Sequence, residues 1–194
     1  MDPWKGEILT RVLGAVAQLV SGPDPYMTGH AVRVADYCDR VGRLSGLSDD
    51  DRFLLRLTAQ VHDIGMLSTP SHILRKPSAL AEEEMEEVRI HPVKGFELFV
   101  GEALLERMAH AIRHHHERFD GSGYPDGLRG EGIPLFARII LVADTYEAMT
   151  HHRPYRRAMT HAEALRRIQD EAGRQFDPEV VRHFVAVIEA DLGP

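Results

Sequence analysis

The stretch RHHHERFDGSGYPDG, from Arg113 to Gly127, packs three histidines, an acid and a glycine-rich turn into fifteen residues. A core helix has no use for three adjacent imidazoles. A metal-chelating tail has no use for the turn that follows. Histidine is the commonest transition-metal ligand, and the chain carries twelve, at positions 30, 62, 72, 91, 110, 114, 115, 116, 151, 152, 161 and 183. They are dispersed, unlike a purification tag.

Working outward, the sequence reads as helices. Ile8–Val20 carries apolar residues at helical spacing and is stopped by Gly22-Pro23-Asp24-Pro25. His30–Leu44 repeats the pattern. Ser48 followed by Asp49-Asp50-Asp51 is an N-cap with acids in the first turn of a helix that runs into His62-Asp63. A Pro- and Ser-punctuated loop spans Ser68–Ser78. An acidic, exposed helix is expected over Ala81–Val88, and others over His91–Phe99 and Leu104–His116. Leu135–Thr150 is a dense apolar helix that contains Asp144. Thr160-His161-Ala162-Glu163 has the form of a capping box for Ala162–Glu171, and Asp177-Pro178 opens the last helix, through Ile188. No period-2 alternation persists long enough for a sheet, so the expected class is all-α. The one candidate boundary lies near Asp24, dividing an N-terminal helix (1–23) from the main bundle (24–194).

The 194 residues, 43% of them hydrophobic, suit one globular domain with a full core. A net charge of −7 disfavours a broad nucleic-acid face, so no DNA is expected as a partner. Cys38 is the single cysteine, which leaves no intrachain disulfide and fits a reducing compartment. No signal peptide or apolar run of membrane-spanning length is visible, and the cytoplasm is the expected location.

His62-Asp63 is the first candidate doublet. Adjacent helical residues point about 100° apart, so they do not converge on one point as residues three or four apart do. Such a doublet can instead serve two neighbouring ions, with the carboxylate between them, although as a bare dipeptide it is common. His115-His116 is expected to share that property. Asp144 interrupts an apolar run, and a buried unpaired carboxylate costs several kcal/mol, so it needs a cation or strong donors. Taken singly, each residue has a plainer explanation: His30 as a satisfied core histidine, Asp144 as a partner of Arg138. His72, His110, His151, His152, His161 and His183 have no supporting context.

Together, His30, His62-Asp63, His91, His115-His116 and Asp144 resemble the HD superfamily of metal-dependent phosphohydrolases. His115-His116-Glu117-Arg118-Phe119-Asp120-Gly121-Ser122-Gly123-Tyr124-Pro125 looks like the signature of its HD-GYP family. Further blocks are similar too: Asp24-Pro25-Tyr26 with Arg33-Val34, Ile73-Leu74-Arg75-Lys76-Pro77, Ile133-Pro134, Arg138-Ile139, Arg153-Pro154-Tyr155-Arg156 and Phe176-Asp177-Pro178. The resemblance covers about Asp24 to Val181.

It implies an HD-domain helical bundle that hydrolyses cyclic di-GMP or a related cyclic dinucleotide to linear pGpG, GMP or both. It implies His30, His62, Asp63, His91, His115, His116 and Asp144 as metal ligands, with His62 and Asp63 at the catalytic centre. Two ions are expected. Five imidazoles and two carboxylates suit transition metals better than Mg²⁺ or Ca²⁺, and the resemblance favours iron or manganese. Some family members hold a third ion through a glutamate where this chain has Tyr26. Two metals about 3.5–4 Å apart would generate the attacking hydroxide and neutralise the phosphoryl oxygens. Arg153, Arg156, Tyr124, Gly123 and Lys76 are implied as the substrate-binding set. A cyclic-dinucleotide synthase or an upstream sensor or receiver domain is the implied protein partner, through the loop, and a homodimer is compatible with it.

One departure matters. The family usually reads His-Asp-Ile-Gly-Lys, and here Met66 follows Gly65. Methionine supplies neither charge nor proton. Slower hydrolysis, altered substrate choice and binding without turnover therefore all stay open, with Lys76 or Arg75 as candidate replacements. Hydrolysis of another phosphoester, such as a nucleotide monophosphate, is a further alternative, against which the loop argues.

Overall fold

A computed structural model of the protein describes Arg11, Ala15 and residues 29–103, 105–151 and 157–192. Arg11 and Ala15 are helical. The remainder of the expected Ile8–Val20 helix, its Gly22–Pro25 stop, the boundary at Asp24, Tyr26, Arg153 and Arg156 lie outside the described residues.

Helix α1, His30–Leu44, buries His30, Val34, Ala35, Cys38, Val41 and Gly42, a spacing that keeps them on one face. A short turn leads to α2, Asp49–Val61, and the two pack together along their lengths. Ser48 caps α2 as expected, its hydroxyl accepting from the Asp51 amide at 3.1 Å. Arg52 ties the pair, donating to both carboxylate oxygens of Asp39 at 3.1 and 3.0 Å. A 3₁₀ turn, Ile64–Ser68, follows. The expected Ser68–Ser78 loop contains one helical turn, α3, Ser71–Leu74. Helix α4, Glu82–Arg89, buries no residue, in line with its acidic sequence. Helices α5, His91–Glu97, and α6, Glu106–His114, complete the half that carries the ligand candidates.

Helix α7, Leu135–Thr150, is apolar on every side rather than striped, which is the pattern of a helix enclosed by others. It packs against α1, α6, α8 (His161–Asp170) and α9 (Pro178–Leu192). The Thr160–Glu163 capping box of α8 is made: Glu163 N–H donates to Thr160 Oγ1 at 3.3 Å, and Thr160 N–H to Glu163 Oε2 at 2.9 Å. Asp177 caps α9 by accepting the Glu179 amide at 2.8 Å. Its other oxygen takes Arg138, which also donates to the Ile133 carbonyl at 2.9 Å. Arg138 is therefore committed to the start of α9, which corrects its candidate pairing with Asp144.

The described residues contain no strand, so the all-α expectation holds. None of their helices is long and apolar enough to cross a membrane. Two apolar clusters fill the interior. The larger joins α1, α7, α8 and α9. The smaller, Leu57, Val61, Ile64, Met108 and Ile112, supports the ends of α2 and α6, where the ligand candidates sit.

Candidate metal centre

The seven side chains singled out in the sequence fall into two groups. His30, His62 and Asp144 form one. Asp63, His91, His115 and His116 form the other. Within each group the ligand atoms lie within 4.8 Å of one another. Asp63 stands between them. Its Oδ2 is 3.4 Å from His62 Nε2, while its Oδ1 is 3.3 Å from His91 Nε2 and 3.6 Å from His115 Nε2. Asp144 Oδ1 lies 3.4 Å from His30 Nε2 and 4.0 Å from His62 Nε2.

The His62-Asp63 doublet thus divides between the groups, although it does so at a helix end rather than along a helix. His62 is the last helical position beyond α2, and Asp63 begins the turn to the 3₁₀ segment. His115-His116 behaves differently from expectation. Both rings enter the same group, with centroids 4.1 Å apart. Helix α6 ends at His114 instead of His116, so the 100° separation does not apply to this doublet.

The ring orientations have a common origin. His62, His91 and His115 each place Nδ1 against the carbonyl three residues earlier: Ala59 at 2.8 Å, Val88 at 2.7 Å and Ile112 at 2.6 Å. Carbonyls at the end of a helix lack their usual partners, and these imidazoles satisfy them. A carbonyl only accepts, so Nδ1 holds a proton and Nε2 is left facing the centre. For His30 the partner is a carboxylate, Glu147 Oε2, at 2.6 Å from Nδ1. Glu147 Oε1 accepts from Arg33 Nε at 2.9 Å. Burial alone would raise the Glu147 carboxyl, but the hydrogen bonds and charges of His30 and Arg33 hold it at about 2.

The electrostatics fit a cation. Burial pushes His62 down, but the nearby charge of Asp63, then that of Asp144 and the bond to the Ala59 carbonyl, outweigh it and raise the imidazole to about 10. Burial likewise opposes ionisation of Asp63, yet His62, His115 and His91 hold it well below the carboxylate range. Burial and the neighbouring imidazoles lower His115, and His116 well below its ordinary value. His62 Nε2 is buried without a hydrogen-bond partner. An orphaned nitrogen beside two carboxylates is costly unless a cation occupies the space between them. The donor set, nitrogen and oxygen without thiolate, suits a transition ion.

The glycine-rich loop folds back over this centre. A Cβ on Gly123 would lie 2.2 Å from the Arg118 amide nitrogen and 2.5 Å from Glu117 Cα, so only glycine permits the approach. Tyr124 stacks on His116 with centroids 4.9 Å apart and planes at 22°. Burial, then the charge of Asp63, push its hydroxyl up to about 12, so it stays protonated at neutral pH. Lys76 forms an ion pair with Glu84, which also caps α4 through the Ala81 amide at 2.7 Å. Met66 lies in the 3₁₀ turn with its sulfur 4.0 Å from Thr69 Oγ1.

Sequence reasoning missed the polar groups that surround the ligands. Glu147 is three residues after Asp144 on α7, and a second acid in so apolar a helix was a usable signal. Glu117 is 1% exposed, and His114 and Asp126 pair at 2.8 Å. Nothing in their sequence spacing marks them. Three histidines without sequence context have hydrogen-bond partners: His161 Nδ1 lies 2.6 Å from the Tyr146 hydroxyl, His183 Nδ1 2.9 Å from the Ser45 hydroxyl, and His151 Nδ1 3.2 Å from the Glu147 carbonyl.

Comparison with known proteins agrees with this arrangement. A family model described as HD domain matches residues 14–180. The chain is 38% identical over 177 residues to the cyclic di-GMP phosphodiesterase response regulator RpfG of Xanthomonas campestris pv. campestris, covering 90% of this chain and 46% of that protein. It is 37% identical to 3'3'-cGAMP-specific phosphodiesterase 3 of Vibrio cholerae, over 91% of this chain and 38% of that protein. A cyclic di-GMP phosphodiesterase of Thermotoga maritima is 35% identical, with 92% and 49% covered. The chain therefore spans less than half the length of these relatives. In fold it resembles a solved cyclic GMP-AMP phosphodiesterase of V. cholerae, with a TM-score of 0.70 at 20% identity, covering 93% of this chain and 48% of that one. With the HD doublet at His62-Asp63 and the signature loop from His115 to Pro125, the chain belongs to the HD-domain family and, within it, to the HD-GYP group.

Proposed function

We propose that this chain is a metal-dependent phosphodiesterase that hydrolyses cyclic di-GMP or a related cyclic dinucleotide to linear pGpG, GMP or both. The observation that carries the reading is Asp63, one carboxylate oxygen turned to each of two histidine groups. The names of the relatives at 35–38% identity support the substrate class.

His30, His62 and Asp144 would hold one ion. Asp63, His91, His115 and His116 would hold the other, with Asp63 placed between the two groups. Iron or manganese suits this set. Bound there, two ions would supply a nucleophilic hydroxide at neutral pH and neutralise charge on the phosphoryl oxygens. His62 and Asp63 form the catalytic core because they join the two groups. The backbone carbonyls behind His62, His91 and His115 engage Nδ1 of each ring and keep those imidazoles aimed. Tyr124, protonated and stacked on His116, offers a ring face and an O–H donor to the nucleotide, and Gly123 lets the loop approach closely. Arg153, Arg156 and Lys76 complete the proposed substrate set, the arginines as bidentate phosphate partners. The domain doing this is taken as 24–194, working in the cytoplasm. Its loop is the proposed face for a cyclic-dinucleotide synthase or an upstream sensor or receiver domain, and a homodimer is compatible with this arrangement.

Met66 favours a second reading, in which the centre binds the nucleotide and turns it over slowly. A thioether stands where the family's lysine would supply a charged donor. The test is chromatography of cyclic di-GMP incubated with anaerobically prepared protein loaded with Fe²⁺ or Mn²⁺, beside Asp63→Ala. Product from the intact protein alone supports the phosphodiesterase. No product from protein carrying its full metal complement overturns it and leaves the binding module or another phosphoester.

A further inference from the structure

Asp126 ties the loop that carries Tyr124 at its far end. Asp126 Oδ2 accepts from Arg113 Nε at 2.7 Å, and its Oδ1 from Arg113 Nη2 at 2.8 Å. His114 Nε2 lies 2.8 Å from the same Oδ2, while His114 Nδ1 lies 2.8 Å from the His110 carbonyl. The Asp126 N–H donates to Glu117 Oε1 at 2.7 Å. Arg113, His114 and Glu117 flank the pair His115-His116 on both sides, yet none of them is in either ligand group. Asp126 therefore ties the far end of the loop to the chain segments that bracket two ligands.

Tyr124 lies two residues before this tie. It stacks on His116, and its amide donates to the His116 carbonyl at 3.3 Å. That hydrogen bond is long, and Gly121 and Gly123 on the approach side impose little stiffness on the backbone. A bidentate arginine–carboxylate pair has a fixed geometry, and a second donor on Oδ2 narrows it further. Hydrogen bonding to Arg113, then to His114, holds the Asp126 carboxyl at about 2, so it is charged across the neutral range.

We propose that Asp126 is a positioning residue: clamped by Arg113, His114 and Glu117, it holds Tyr124 against His116 and so sets the affinity for a cyclic dinucleotide without touching it. This rests on the cyclic-dinucleotide reading of the site. Without the clamp, ordering of the loop would be subtracted from binding. The metal ligands would keep their own supports, the carbonyls of Ala59, Val88 and Ile112. Asp126 and Arg113 are partly exposed, at 35% and 25%, so the core does not depend on them.

The test compares metal-loaded wild type with Asp126→Ala and with Asp126→Asn, which retains an acceptor for Arg113 and His114. For Asp126→Ala, KM for cyclic di-GMP is expected to rise roughly tenfold, with kcat within about twofold and metal content unchanged. Asp126→Asn should fall between. Hydrogen exchange across 117–127 should quicken in Asp126→Ala and not elsewhere. An unchanged KM with intact protection of the loop overturns the proposal. So does a fall in kcat that follows metal loss, because the clamp would then serve the ligands. A wild type that binds cyclic di-GMP without cleaving it overturns only the enzymatic reading, and the dissociation constant then replaces KM. A wild type that neither cleaves nor binds it overturns both.

Discussion

Gly65 lies directly against the carbonyl of His91: a Cβ at position 65 would stand 1.9 Å from that oxygen and 2.6 Å from the Gly95 amide nitrogen. This contact seats α5 on the 3₁₀ turn and brings His91 Nε2 to 3.3 Å from Asp63. Any side chain at 65 must push the two backbones apart. Gly65→Ala should destabilise the protein by roughly 3 kcal/mol, the scale of overpacking a closed contact. It should also remove metal from the Asp63 group before the His30 group. Urea denaturation with metal analysis of the folded variant would check both; full occupancy at unchanged stability would contradict the contact.

Glu147 orients His30 rather than ligating. Glu147→Gln keeps its shape but lets the amide nitrogen face either partner, so His30 loses a charged acceptor. Removing such outer partners costs about 10–100-fold in metal affinity. Competition against a chromogenic chelator should show this loss for Glu147→Gln, with one ion per chain affected and the other retained.

Metal loading should release protons. Without a cation the two carboxylates hold His62 protonated up to about 10. The ion needs the neutral imidazole, so apparent affinity should climb as pH rises towards that value. Calorimetry in buffers of different ionisation enthalpy would count the protons released at pH 7.5. Uptake of protons, or none exchanged, would be inconsistent with His62 as a ligand.

Met66→Lys should raise turnover of cyclic di-GMP, if the centre is a slow phosphodiesterase. A single hydrogen-bond donor to a developing oxyanion is worth about 10²–10³ in kcat elsewhere, which sets the scale here. A variant slower than wild type would mean that the 3₁₀ turn of this chain has adapted to methionine.

Stability should fall in acid through Glu147. Its folded value, about 2, is below the ordinary 4.5, so the charged form is favoured by folding. That contribution is complete above pH 4.5 and is lost as pH falls towards 2. It amounts to at most about 3 kcal/mol from a shift of this size. Denaturant midpoints of metal-free protein between pH 6 and 2.5 should slope less for Glu147→Gln than for wild type.

The sequence by itself determined the helical class, the bounds of His30–Leu44 and Leu135–Thr150, and the Ser48 and Thr160 caps, because helical periodicity and capping chemistry act over a few residues. Its resemblance to the HD-GYP family also singled out seven histidines and acids, which taken one at a time had plainer readings. Only the tertiary structure decided how they divide. His62 and Asp63 part company and His115 and His116 do not, because α2 and α6 end where the doublets begin and the chain path beyond each end is set by packing. The partnership of Arg138 with Asp177, of His30 with Glu147 and of Asp126 with Arg113 likewise depends on which helix faces which. Glu147 is 117 residues from His30 along the chain, and no local pattern carries information over that separation.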